Sequence, residues 1–176
     1  MVFTPDVGDA LGAAAELANS AGDTDALRTL DDLTEFFDRW QYTGARPRTR
    51  ADFDAVRAVR PRLRALLRAD RDDAVDLVNA VLTEQQAVPQ LVRHDHLDWH
   101  VHAIDENRPL HERVLVETAM AMIDVIRADE MSRLGTCAAS DCDDVVVDFS
   151  RNRSRKFCST TCGNREAQAA FRARQG

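Results

Sequence analysis

The sequence lacks long apolar runs and has almost no lysine. No hydrophobic stretch approaches the ~20 residues that a membrane-spanning helix needs, and no targeting segment is visible. These absences predict a soluble cytoplasmic protein with no membrane partner. Lys156 is the single lysine among 23 basic residues, so we attribute the arginine excess to genome composition. By itself the excess is no evidence of phosphate binding.

Catalytic motifs are also missing. The chain contains no nucleophile motif, no phosphate-binding loop and no H-E-x-x-H pair. We therefore expect a protein that is not an enzyme. An enzyme that uses the histidines between residues 96 and 102 stays open as a third alternative.

Cysteine is absent from the first 136 residues, and all four cysteines then follow in two close pairs. The spacings are C-x4-C and C-x3-C, with fifteen residues between the pairs. Two short loops that each offer two thiolates suit a tetrahedral Zn²⁺ site. We predict one structural zinc ion per chain, bound by Cys137, Cys142, Cys158 and Cys162. Two disulfides, an iron-sulfur or other metal site, and four unrelated buried thiols are the alternatives.

The residues around the cysteines predict a small zinc-binding fold. Val145 to Phe149 has the pattern of a short strand, and Thr160 to Arg174 that of a terminal helix. Cys158 would lie just before this helix and Cys162 in its first turn. A knuckle, a strand pair and a helix with the second ligand pair resemble a treble clef.

Charge is distributed unevenly along the chain. The whole sequence carries −7, but residues 133–176 hold eight basic and five acidic side chains, which gives +3 and leaves −10 for residues 1–132. A local basic surface on an acidic body can bind a polyanion. A solvated basic tail is the simpler alternative. The candidate DNA-contacting residues are Arg151, Arg153, Arg155, Lys156, Asn164, Arg165, Arg172 and Arg174.

Helical periodicity dominates the first 132 residues. The apolar spacing indicates helices from about Asp9 to Ala21, from a cap at Asp23 or Thr24 to an end near residues 42–44, from a cap at Thr49 to about Arg68, from Asp72 to Gln85, and from Leu110 to about Ser132. Pro61 predicts a kink or restart within the third helix. The broad apolar surface of the last helix suits the centre of a bundle or an interface between two copies.

Between Val88 and Ile104 the spacing of apolar residues changes from a helical period to a period of two residues. Apolar residues from Leu97 to Ala103 alternate with histidines and Asp98, which predicts a strand with one wet, histidine-lined face. Residues 89–93 are the expected hairpin partner, with a turn at residues 94–95. An exposed polar face is the simplest interpretation. A ligand pocket that includes Trp99, His100 and His102 is the alternative.

The last third of the chain carries a recognisable motif. Cys162-Gly-Asn-Arg165, preceded by residues 148–152 and 154–158, resembles the CGNR zinc-finger family. In that family the finger follows an N-terminal ABATE-type domain, and its members are described as stress-induced transcription regulators. The resemblance implies a sensor-like domain over residues 1–132 and a DNA-binding zinc finger over residues 133–176.

The fold class that follows is mainly α (α+β). It has a helical N-terminal domain with a small β-hairpin and a C-terminal treble-clef-like zinc finger. The leading hypothesis is a bacterial zinc-dependent transcription regulator that binds DNA through the finger and senses a small-molecule or protein effector. A small finger neutralises few phosphates, so we expect a homodimer or an additional subunit. The alternative is a zinc-stabilised protein-protein interaction module without DNA binding.

Overall fold

The structure, a computed structural model, describes residues 3–22, 25–93 and 98–175. Its helices are α1 (Pro5–Asn19), α2 (Leu30–Arg39), α3 (Arg50–Arg68), α4 (Arg71–Glu84), α5 (Leu110–Arg127) and α6 (Thr160–Ala173). The strands are β1 (Gln90–Val92), β2 (His100–His102), β3 (Leu134–Thr136) and β4 (Val145–Val147), and a short 3₁₀ turn covers Met131–Arg133. This confirms the predicted fold class. No helix in the described ranges has both the length and the apolar character that a membrane span requires.

Threonine caps begin two of the body helices. Thr29 and Thr49 each accept a hydrogen bond from the backbone N–H three residues later, and Asp32 and Asp52 bond back to the cap. Such reciprocal capping satisfies donors that the first helical turn leaves open. The predicted start at residue 23 or 24 is therefore wrong, because α2 begins at Leu30; residues 23 and 24 themselves lie outside the described residues.

Helix α3 continues through Pro61 without the predicted restart. Proline cannot donate to the carbonyl of Arg57, and the Nε of Arg60 takes its place at 3.2 Å. The same Arg60 is buried and forms an ion pair with Asp25 at 2.8 Å. The Arg60 side chain thus replaces the hydrogen bond that proline removes.

Helices α1, α3, α4 and α5 pack together around the core. Leu11, Leu63, Leu115 and Met122 are fully enclosed there. Gly12 lets the Trp40 ring lie against α1, since a Cβ at this position would stand 2.4 Å from the ring. Burial of these side chains from helices distant in sequence stabilises the body.

Strands β1 and β2 pair antiparallel, with Leu91 opposite Val101, so the predicted hairpin is confirmed. Its predicted orientation is wrong. His100 faces inward at 8% exposure, whereas Trp99 is 64% exposed and Val101 41% exposed. The two-residue period is the same in either orientation, so the sequence pattern alone could not identify the buried face. The turn at residues 94–95 and His96 lie outside the described residues.

The second hairpin joins the cysteine-rich segment to the helical body. Val145 and Val147 of β4 pack in the main core, while Val146 between them packs beside the cysteines. Asn19 at the end of α1 donates to the Val145 carbonyl at 2.9 Å and accepts from its N–H at 2.7 Å. One strand therefore contributes to both apolar clusters.

Candidate metal centre and neighbouring surfaces

Four cysteine sulfurs converge next to the second hairpin. The ligand atoms of Cys137, Cys142, Cys158 and Cys162 all lie within 4.8 Å of one another. Cys158 Sγ is 3.7 Å from Cys142 Sγ and 3.5 Å from Cys162 Sγ. Zn–S bonds of about 2.3 Å at tetrahedral angles place sulfurs about 3.8 Å apart. The cluster thus has the size that a four-thiolate zinc ion requires.

Local backbone structure holds each pair of cysteines. Cys137 follows β3, and its N–H donates to the Asp144 carbonyl at 2.8 Å. Ser159 caps α6 by accepting from Cys162 N at 3.2 Å, which places Cys162 in the first turn of that helix. The expected positions of Cys158 before the helix and Cys162 within it are confirmed.

The thiols differ in their tendency to ionise. Burial raises the pKa of Cys142 to about 11 and raises that of Cys158 further. Burial also disfavours the Cys137 thiolate, but backbone N–H groups of Cys158 and Ala139 donate to its sulfur and hold its pKa below the usual value. Clustered thiolates repel one another, so a divalent cation is the group that would stabilise four of them together.

Several of the predicted DNA-contacting side chains are occupied by contacts with other residues of the chain. Arg165 lies 3.4 Å from Cys162 Sγ and pairs with Asp141 at 2.6 Å. Arg155 donates to the carbonyls of Phe157 and Cys158. Arg153 pairs with Glu130 at 2.9 Å. Arg155 and Arg165 therefore stabilise the zinc-binding fold, and Arg153 links it to the segment that precedes it.

The other predicted contacts are exposed and available. Among the described residues no side-chain partner is found for Arg151, Lys156, Asn164 or Arg172, and each is exposed. The Arg174 side chain donates to the Ala170 carbonyl of its own helix. Along α6 the only buried residue is Cys162. The finger therefore exposes to solvent its helix α6 and residues 151–155, which we call the arginine loop.

A cavity of about 870 Å³ lies in the helical body. Its walls come from α1, α5, the loop after α2, and strand β2. His100 and His102 border the cavity as predicted for a pocket, whereas Trp99 points outward and is absent from the described lining. The volume is within the range of small-molecule sites.

Glu117 is an ionisable group in this cavity that the sequence analysis missed. Burial raises its pKa to about 7, although the charge of Arg113 and a hydrogen bond with Tyr42 act in the opposite direction. Arg113 is held by the carbonyls of Thr43 and Ala45, at 2.5 and 2.7 Å. A single glutamate within the apolar pattern of α5 gave only a weak sequence signal.

A helical body that carries a four-cysteine site on a hairpin and a helix defines a zinc-finger protein. Residues 133–175 match the family model of the CGNR zinc finger. Residues 11–129 match the ABATE family, described as "Putative stress-induced transcription regulator". Because this match covers more than half of the chain, the protein belongs to the ABATE family. No curated protein matches the chain.

The family and the sulfur cluster together assign a structural zinc ion to Cys137, Cys142, Cys158 and Cys162. The ion would neutralise part of the thiolate charge and join the loop of the second hairpin, between β3 and β4, to α6. The boundary between residues 132 and 133 stays a prediction. The contribution of Val145 and Val147 to the main core means that the finger and the body share apolar contacts.

Proposed function

We propose that this protein regulates transcription by binding DNA through the finger and an effector through the helical body, without a catalytic step. The observation that carries the DNA-binding part is the exposed set Arg151, Lys156, Asn164 and Arg172, which has no side-chain partner among the described residues. Arginine and lysine neutralise phosphates, and asparagine can form two hydrogen bonds to adenine.

The arginine loop supports this proposal because it is held in place. Asp148 accepts hydrogen bonds from the N–H groups of Ser150 and Arg155, at 2.7 and 2.8 Å. Arg133 is buried and donates to the Ser150 carbonyl at 2.8 Å. A fixed loop presents its cations with a smaller entropy loss on binding.

Effector binding is supported by two helices that reach both sites. Helix α1 lines the cavity through Asp9 and Ala13 and contacts β4 through Asn19. Helix α5 lines the cavity and leads through the 3₁₀ turn into β3 and Cys137. An effector that shifts either helix would also shift the finger, which is the two-site arrangement that allosteric regulation requires.

The experiment is selection of fragmented genomic DNA from the source organism by zinc-loaded protein. The test variant combines Arg151→Ala, Lys156→Ala and Arg172→Ala, three finger cations whose side chains form no hydrogen bond or ion pair with the residues that the structure describes. The matched control removes three exposed body arginines: Arg28→Ala, Arg48→Ala and Arg93→Ala. We expect the wild type and the control to enrich the same fragments, and the finger variant to enrich none.

A zinc-stabilised protein-interaction module is the second candidate. Phe171 is 55% exposed near the end of α6, where an aromatic side chain is more typical of a protein contact than of a phosphate contact. Absence of DNA enrichment by folded, zinc-loaded wild type, with one stoichiometric protein partner recovered, would favour this module. A homodimer is part of the DNA-binding proposal, because one finger offers few cations.

A further inference from the structure

The two inward-facing histidines of β2 converge on each other. His100 Nε2 and His102 Nε2 lie 3.1 Å apart, and their rings cross at 70°. Residues two apart on a strand share a face, so the strand itself brings the rings together. The cavity lies beside both rings.

The tautomer of His100 follows from its other ring nitrogen. Nδ1 lies 2.8 Å from the Asp98 carbonyl oxygen, which can only accept a hydrogen bond, so Nδ1 carries the proton. In the neutral ring Nε2 then presents a lone pair to His102. A backbone carbonyl that orients one imidazole nitrogen while the other is left to coordinate is a recurring feature of metal-binding histidines.

We infer that His100 and His102 form a second metal site, for a divalent transition-metal ion such as Zn²⁺, separate from the four-cysteine centre. Bonds of about 2.0 to 2.1 Å at tetrahedral angles place two nitrogens about 3.3 Å apart, close to the observed spacing. Without the ion, His102 Nε2–H donates to His100 Nε2. When the ion binds, it replaces this hydrogen between the two Nε2 atoms, and the proton of His102 moves to its Nδ1. Imidazole ligands suit zinc, copper and nickel.

The charge of the cavity favours a cation. Its lining includes five carboxylates and two arginines: Asp6, Asp9, Glu106, Glu117 and Asp124, against Arg113 and Arg127. Arg113 is held by two backbone carbonyls, which leaves its charge beside Glu117. An excess of negative charge in a concave site raises the local concentration of cations.

Within the part of the chain that the structure describes, the histidine pair borders open space. His102 borders the large cavity and also a second cavity of about 480 Å³, and Glu106 borders the same two cavities. Water or an effector can therefore complete the coordination, in contrast to the closed four-cysteine site. The inference depends only on the histidine geometry, so it holds whether or not the finger binds DNA.

The test measures zinc bound per chain after equilibration with a buffered, micromolar concentration of free zinc. We expect two equivalents in wild type and one in the His100→Ala/His102→Ala variant, with the four cysteines protected from thiol reagents in both. His111→Ala is the matched control, since His111 lies on α5 beside Glu112, and it should keep two equivalents. One equivalent in wild type, or two in the double variant, would overturn the proposal.

Two measurements keep the test decisive if the double variant does not fold. The His102→Gln variant changes only the more exposed of the two rings, and it should bind one equivalent of zinc per chain, at the four cysteines. In wild type, ¹⁵N resonances of the imidazoles report the coordinating atom directly. Zinc should shift Nε2 of both histidines while Nδ1 of His100 stays protonated; unchanged Nε2 resonances would refute the site.

Discussion

Asn19→Ala tests how the finger is held on the body. The antiparallel pairing of β3 with β4 is flanked by bonds from Cys137 N to Asp144 O and from Asp148 N to Arg133 O. Because antiparallel bonds alternate, Val145 directs its N–H and C=O away from β3. The Asn19 amide bonds to both of these groups, at 2.7 and 2.9 Å.

The magnitude follows from these two bonds. A net contribution of about 1 kcal/mol for each gives about 2 kcal/mol, rising to about 4 kcal/mol if both buried Val145 groups stay unpaired. Val145 is 2% exposed, so water cannot easily replace the amide. This loss is a large fraction of the total stability of a typical domain.

Urea unfolding followed by circular dichroism, at fixed zinc and protein concentration, measures the change. Gln168→Ala is the matched control, because it truncates an exposed amide on α6 and should stay within about 0.5 kcal/mol of wild type. Hydrogen exchange should show faster exchange of the Val145 amide in Asn19→Ala. A destabilisation no larger than that of the control would refute the role assigned to Asn19.

Three further predictions concern the cavity, a turn and the metal. For Glu117, whose pKa rises from 4.5 to about 7 on folding, the folded state binds more protons than the unfolded state between these values, so stability should fall as pH rises from 4.5 to 7. In Glu117→Gln the unfolding free energy should fall by up to about 3 kcal/mol less over this pH range than in wild type. Unfolding free energies measured at several pH values test this, and the same pH dependence in both proteins would contradict the burial of Glu117. Gly44→Ala should destabilise by roughly 2 to 4 kcal/mol, since its φ is +68° and a Cβ would lie 2.2 Å from the Glu106 carbonyl oxygen. Gly8→Ala is the contrasting control in α1, because a Cβ added there would have nothing within 4 Å, and it should stabilise the protein by about 0.5 to 1 kcal/mol. Thermal melts in which Gly44→Ala is more stable than Gly8→Ala would contradict this reasoning. Zinc chelation should remove the circular dichroism of α6, because Cys162 is its only buried residue and an isolated helix of 14 residues is marginal in water, while most of the body signal persists. Chelation that leaves α6 helical would mean that other contacts hold it.

The zinc finger and the helical body could be predicted because their signals are local. Close cysteine pairs and the spacing of apolar residues both act over one or two turns of chain. Helices α3, α4 and α6 accordingly begin and end within a residue or two of expectation.

The missed features depend on contacts between distant residues. Helix α2 begins after the Thr29 cap and ends at Arg39, so it is shorter than the helix that the apolar spacing predicted. The orientation of the first hairpin depends on which face meets the body, which a two-residue period does not encode. Asn19 meets Val145 from 126 residues away, so no local pattern indicated the contact.

Salt dependence of DNA binding tests the central claim most directly. Using a fragment recovered by selection, the slope of log K against log salt should be about 3 units shallower for the Arg151→Ala/Lys156→Ala/Arg172→Ala variant than for wild type, because each lost phosphate contact reduces the slope by about 0.9. The Arg28→Ala/Arg48→Ala/Arg93→Ala control should keep the wild-type slope. Equal slopes for wild type and the finger variant, or no binding by folded zinc-loaded wild type, would contradict the assignment of the finger as the DNA-binding surface.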